Sequence, residues 1–176
     1  MQLTSFNMII RPLKEKDAKA MCECLNDDNV NHFMNIHSLS FNEQSCLKFI
    51  KESQSDKENL NYAIIDEDDN WVGTISLKHI DYKKKEAEYA IITATKVHGK
   101  GIAKLASKEI LKVAFLELGL EKVYLYLSTK NERANKFYQK FGFNYDRCDK
   151  ASMEINGELQ DINWYYILKG EVEKYV

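Results

Sequence analysis

The chain has 176 residues, 44% of them hydrophobic and 30% charged, which suits one ordinary globular domain over 1–176 and excludes a disordered or fibrous protein. Its 25 basic and 27 acidic residues leave a formal charge of -2, so no global basic field exists to hold a nucleic acid, and none is expected as a partner. Cys22, Cys24, Cys46 and Cys148 lack the paired spacing of a zinc site, which points to free thiols, a cytoplasmic setting and no metal.

Met1 to Asn7 is polar and lacks a basic cluster, so neither a signal peptide nor a membrane span is expected, and no membrane partner. Met8 to Leu13 reads as a short edge strand that ends at Pro12. A charged helix follows over Lys14 to Leu25, with Ala18, Met21 and Leu25 on one face. Ser40-Phe41-Asn42-Glu43 has the spacing of a capping box, and Cys46, Leu47, Phe49 and Ile50 give a second helix its apolar stripe, ending near Ser53. From Asn61 the period changes. Tyr62 to Ile65 and Trp71 to Ile80 read as a hairpin around the turn Asp66 to Asn70, and Glu86 to Thr93 adds a third strand, with Ala87, Tyr89 and Ile91 on one side of it.

His98 to Gly101 then opens a long helix, Ile102 to Leu118, striped by Leu105, Ala106, Ile110, Val113, Ala114 and Leu118 and closed by Gly119. Lys122 to Ser128 is a β-branched and aromatic strand. Asn131 caps a helix that runs through Phe141 and stops at Gly142, and Asn156-Gly157 joins the last two strands. The alternation predicts a mixed α/β (α+β) domain: a twisted, mostly antiparallel central sheet flanked by about four helices, with only the two strands around the long helix parallel.

Gly99 and Gly101 leave backbone N–H groups free to approach an anion, and the helix that starts after them adds partial positive charge, thickened by Lys96, Lys100 and Lys104. The loop is neither a Walker sequence nor a dinucleotide fingerprint. Taken alone it equally describes a helix that begins after a solvated loop.

Two stretches together carry a resemblance. His98-Gly99-Lys100-Gly101-Ile102-Ala103 and the run Asn131-Glu132-Arg133-Ala134-Asn135-Lys136-Phe137-Tyr138-Gln139-Lys140-Phe141-Gly142-Phe143 resemble the two signatures of the Gcn5-related N-acetyltransferase (GNAT) superfamily, and the element order follows it over nearly the whole chain. The resemblance implies fourth and fifth strands that splay apart around acetyl-CoA, with Ile91, Ile92 and Thr93 as the edge that meets pantetheine. It also implies a diphosphate cradle at His98, Gly99, Lys100, Gly101, Ile102 and Ala103, and an Asn131 contact to the cofactor; Arg133, Lys136 and Lys140 are looser phosphate candidates. His98 is a departure, standing where the family usually has Gln or Arg.

The implied chemistry needs a neutral amine, a polarised carbonyl and a proton for the leaving thiolate. Deprotonating a lysine-like amine at neutral pH costs roughly 4 to 5 kcal/mol, and Glu88, beside the cofactor edge, is the candidate base; the other reading is a solvated or paired strand charge. Backbone N–H groups near Ile91 to Thr93 are candidates to stabilise the carbonyl oxygen. Tyr138 stands at the family's general-acid tyrosine, although Ala134, Phe137, Tyr138 and Phe141 also read as a core cluster.

Asn26 to Leu39 and the terminal hairpin are expected to choose the acceptor, with His32, Phe33 and Asn35 as binding residues; His37 and His79 give no ligand spacing. The acceptor expected is a primary amine of a small molecule, an amino sugar or a polyamine. Alternatives are a ribosomal-protein N-terminus or a catalytically silent CoA-binding module. Trp164, Tyr165 and Tyr166 would serve a homodimer interface as readily as a core.

Overall fold

The computed structural model describes residues 9–34 and 41–174. Its strands are β1 (Ile10–Pro12), β2 (Leu60–Ile65), β3 (Trp71–Asp81), β4 (Glu86–Thr93), β5 (Lys122–Ser128), β6 (Asn144–Ile155) and β7 (Glu158–Leu168), joined in one sheet in the order β1-β2-β3-β4-β5-β7-β6. All pairs are antiparallel except β4 with β5. The helices are α1 (Ala18–Leu25), α2 (Asp28–Asn31), α3 (Glu43–Ser53), α4 (Ile102–Lys112) and α5 (Glu132–Phe141). Among the described residues five α-helices stand where about four were expected. The addition is α2, a single turn whose start is capped by Asp27 accepting from the Asn29 amide at 2.9 Å.

Three local expectations are corrected. Asn42, not Ser40, caps α3: its side chain accepts from the Ser45 amide at 2.8 Å while the Ser45 hydroxyl meets the Asn42 amide. Ser40 lies outside the described residues. The long helix changes character at Val113, where a π-helical turn over Val113–Glu117 moves Leu118 onto the Val113 carbonyl at 2.9 Å. Leu105 is 46% exposed, because it sits one residue off the Ala106–Ile110–Ala114 line that packs on the sheet.

The sheet is covered on both faces. On one, α4 and α5 close over Ile75, Leu77, Ala87, Tyr89, Val123 and Ile167; on the other, α1 and α3 close over Ala63 and Trp71. Trp71 reaches that second face through a register break: Ile64 pairs with Gly73 and Ile65 with Trp71, so Val72 is an extra residue and the alternation flips there. Tyr165 is fully buried in the first core, which removes it from the suggested dimer surface; Trp164 stacks 4.8 Å from Tyr126 under the Arg147 guanidinium.

The first strand is anchored by charge. The Arg11 guanidinium donates both terminal nitrogens to Asp17, at 2.8 and 2.9 Å, with 6% and 1% of the two side chains exposed, while Nε reaches Asp69 in the β2–β3 turn at 2.6 Å. Removing one member of a buried pair strands the other. Asp17→Ala is therefore expected to cost about 3 kcal/mol, lowering the thermal midpoint by roughly 6 to 12 °C; a calorimetric shift under about 2 °C would show that Arg11 is satisfied by Asp69 alone.

Candidate active site

β4 and β5 run parallel only through Glu86–Lys122, Ala87–Val123 and Glu88–Tyr124. Past that point β4 continues to Thr93 paired with β3, and β5 continues to Ser128 paired with β7, but not with each other. The facing backbone groups of Tyr89 to Thr93 are thereby left to a ligand, in the manner of an edge that accepts an added strand. The end of β5 is held away by Asn135 on α5, whose Nδ2 donates to the Ser128 carbonyl at 2.9 Å and whose Oδ1 accepts from Tyr165 and Asn163 at 2.8 and 2.9 Å.

At the open end, a 3₁₀ turn over Thr95–Val97 leads into His98, Gly99, Lys100 and Gly101. Gly99 and Gly101 take φ of 77° and 76°, and a Cβ on either would meet nothing within 4 Å; left-handed backbone, not space, calls for glycine here. Gly101 caps α4 without any side-chain hydrogen bond, so the first-turn amides of α4 point outward with the helix dipole behind them. A cavity of about 210 Å³ lies over them. Of the expected cradle residues, His98, Gly99, Gly101, Ile102 and Ala103 line it and Lys100 does not; Thr93 from the expected edge, with Val97, Lys104, Arg133 and Phe137, completes it.

Arg133 Nη1 lies 2.9 Å from His98 Nδ1, and His98 Nε2 lies 3.3 Å from the Thr93 carbonyl. The imidazole thus brackets the end of β4 to α5 and holds the guanidinium at the rim of the cavity. Asn131 caps α5, its Oδ1 accepting from the Ala134 amide at 3.3 Å.

Tyr138 is 8% exposed and packs edge-on against Tyr89, with ring centroids 5.7 Å apart at 87°. Ser107 donates to the Ala103 carbonyl, so Tyr89 must donate to Ser107, at 2.7 Å, and its oxygen is left to accept from Tyr138. Burial first, then the neighbouring Tyr89, pushes the Tyr138 phenol well above its ordinary value, so it keeps its proton at neutral pH. The core reading and the acid reading are thus both represented: the ring is core, and its hydroxyl belongs to a directed chain next to the β4 edge.

The opposite face of β4 borders a second cavity, of about 270 Å³, under α1 and α3. Ala90, Ile91 and Ile92 form its β4 side, and β3 contributes Thr74, Ser76 and Lys78. Glu88 lies at the end of this row and is 9% exposed. Its Oε2 is 3.5 Å from His79 Nε2 and it accepts from the Tyr126 hydroxyl, which burial and then the carboxylate push up to about 12. His32 and Phe33 meet edge-on at 4.7 Å without lining this cavity, and the His32 carbonyl accepts from Asn156 Nδ2 at 2.8 Å, joining the terminal hairpin to the α2 segment. Asn35 and His37 lie outside the described residues. Among the described residues no three His, Cys, Asp or Glu side chains gather as a metal ligand set.

Lys78, Phe137 and Tyr89 were passed over in the sequence. For Lys78 a signal existed: Thr74, Ser76 and Lys78 alternate with Ile75 and Leu77 on a strand whose two faces are both covered, so the polar row had to face a cavity or a ligand.

Comparison with known proteins agrees with this geometry. Residues 7–144 match the family model described as an acetyltransferase (GNAT) domain. The spermidine N(1)-acetyltransferase of Vibrio cholerae serotype O1 is 29% identical over 148 residues, covering 81% of this chain and 86% of the relative. Acetyltransferase PseH of Campylobacter jejuni is 27% identical over 143 residues, covering 81% and 87%. The crystal structure of the Vibrio cholerae spermidine N-acetyltransferase in complex with CoA and spermine superposes with a TM-score of 0.85 at 25% identity, covering 93% of this chain and 96% of that one.

The bracket predicts coupled losses of cofactor affinity. Arg133→Ala is expected to weaken CoA binding about tenfold, as for one charge-assisted contact, and His98→Ala somewhat less. The double variant should bind no worse than Arg133→Ala alone, because His98 acts through Arg133; additive losses by calorimetric titration would refute the bracket.

Proposed function

The chain belongs to the GNAT acetyltransferase family, and we propose that this acetyl-CoA-dependent N-acetyltransferase acetylates a primary amine of a small molecule by direct attack of the amine on the thioester. The observation that carries this reading is the gap between β4 and β5, opening beside the uncapped start of α4 with Tyr138 behind it.

The residues fit the cofactor. The first-turn amides of α4 and the Gly99–Gly101 loop would hold the diphosphate, Arg133 and Lys104 would add charge, and the free edge of Tyr89 to Thr93 would pair with the pantetheine amides. Bound there, acetyl-CoA supplies an acyl group already activated as a thioester. The chain's own work is then threefold. Backbone N–H groups of the Ile91 to Thr93 edge would stabilise the carbonyl oxygen as it gains charge, at no cost of reorganisation. Glu88 takes the proton that the amine loses, directly or through water. Tyr138 would give its proton to the leaving thiolate; Tyr89 keeps its own proton on Ser107, so Tyr138 would be reprotonated from solvent.

An amino sugar and a polyamine are the two acceptor types in view. The spermidine names of the relatives support the polyamine, while the acidity near the acceptor face is modest for a polycation: Asp27 is already engaged with Asn29 and Thr95, and Glu88 with His79 and Tyr126. No observation favours a protein N-terminus or a catalytically silent CoA-binding module.

Free-thiol release from acetyl-CoA across a panel of primary amines tests the activity. Tyr138→Phe should lower kcat by about a hundredfold or more while the CoA Kd changes by less than about twofold; an unchanged kcat would end the acid assignment.

A further inference from the structure

The acceptor-side cavity has a charge pattern of its own. Its walls are Met21, Leu25, Phe41, Phe49, Trp71 and Ile92, and among the described residues no Asp or Glu lines it.

The polar groups left free in it are donors. Lys78 is half-buried, and its ammonium makes no hydrogen bond or ion pair among the described residues. It stands directly opposite Glu88 in the β3–β4 register, yet Glu88 is engaged by Tyr126 and faces His79. One row further along, Asn61 accepts from Ser76 through Oδ1 at 2.7 Å, and its Nδ2 has no acceptor among the described residues. Lys78 and Glu88, opposed across the two strands, present one positive and one negative group side by side, which suits a ligand carrying both charges. A polyamine would bring several ammonium groups to the single carboxylate of Glu88, with Lys78 opposing them. A sugar would bring several hydroxyls against methionine, leucine and phenylalanine walls.

We propose that the acceptor carries, besides its amine, a carboxylate close to the nitrogen and an apolar body, the simplest such molecule being an α-amino acid with a large apolar side chain. This rests on the acetyl-transfer reading and refines only its acceptor. Side chains directly opposite on neighbouring strands have Cβ atoms about 5 Å apart, so Glu88 and Lys78 are spaced to meet an amine and a carboxylate borne on one carbon. The amine then lies at Glu88 beside the β4 edge, the carboxylate meets Lys78 Nζ and Asn61 Nδ2, and the side chain enters the apolar cavity.

The test is thiol release from acetyl-CoA with L-phenylalanine, L-phenylalaninamide, spermidine and glucosamine. Phenylalanine should show a kcat/KM at least about tenfold above the other three, the loss on going to the amide being that of one charged hydrogen-bonded contact. Lys78→Met should bring the acid-to-amide ratio to about one and Lys78→Arg should restore it, with CoA affinity unchanged in both. Preference for spermidine or glucosamine, or equal use of acid and amide by the unaltered protein, overturns the acceptor assignment and leaves the transfer reading standing. Release with no amine, from protein that binds CoA, overturns both.

Discussion

The site exists because β4 and β5 stop pairing after Glu88 and Tyr124. A parallel pair extended to Thr93 and Ser128 would satisfy every backbone group and leave no room for a cofactor. The alternative is enforced from the far side: β5 is hydrogen-bonded to β7 along its length, and Asn135 takes the Ser128 carbonyl while accepting from Tyr165 and Asn163. In the core under α4 and α5, Tyr89, Tyr138 and Phe143 pack with centroids 5.6 to 5.8 Å apart. An open strand edge is an aggregation hazard in general, and here it lies between two covered faces of the sheet.

The same topology places the anion cradle. A right-handed crossover from β4 to the parallel β5 must start its helix at the carboxyl end of β4, which is the end where the gap opens. The left-handed Gly99 and Gly101 then turn the chain so that the α4 amides face that gap. Slot and cradle are therefore one geometric feature, and the Asp27–Thr95 contact at 2.9 Å ties the α2 cap to the same corner.

Most of the fold was legible because its punctuation is chemical. Gly119, Gly142 and Asn156-Gly157 adopt the positive φ their turns demand, and the Lys122–Ser128 and Glu86–Thr93 strands have the expected bounds. The misses have physical causes. α2 is too short for a periodicity to register, and the Val72 bulge and the π-helical turn each shift the phase of a pattern that assumes a constant period. The glycine loop announced its cavity, but the hold of His98 on Arg133 depends on α5 lying against the loop, 35 residues away in sequence. The Tyr138–Tyr89–Ser107 chain likewise joins three elements that only the folded core brings together.

Strand alternation gives β4 two separate duties. Tyr89 and Ile91 point into the α4–α5 core next to the cofactor edge, whereas Glu88, Ala90 and Ile92 face the side of α1 and α3. The backbone between them, unpaired toward β5, is common to both. In the proposed reading the residues that meet the acceptor sit on one face and those that support the acid on the other, so a change at Lys78 would leave the Tyr89–Tyr138 pair and the start of α4 undisturbed. A shared fold and cofactor site with the spermidine acetyltransferases is for that reason compatible with a different acceptor, and the charge of the α1–α3 face, not the resemblance of the scaffold, is what bears on which amine enters.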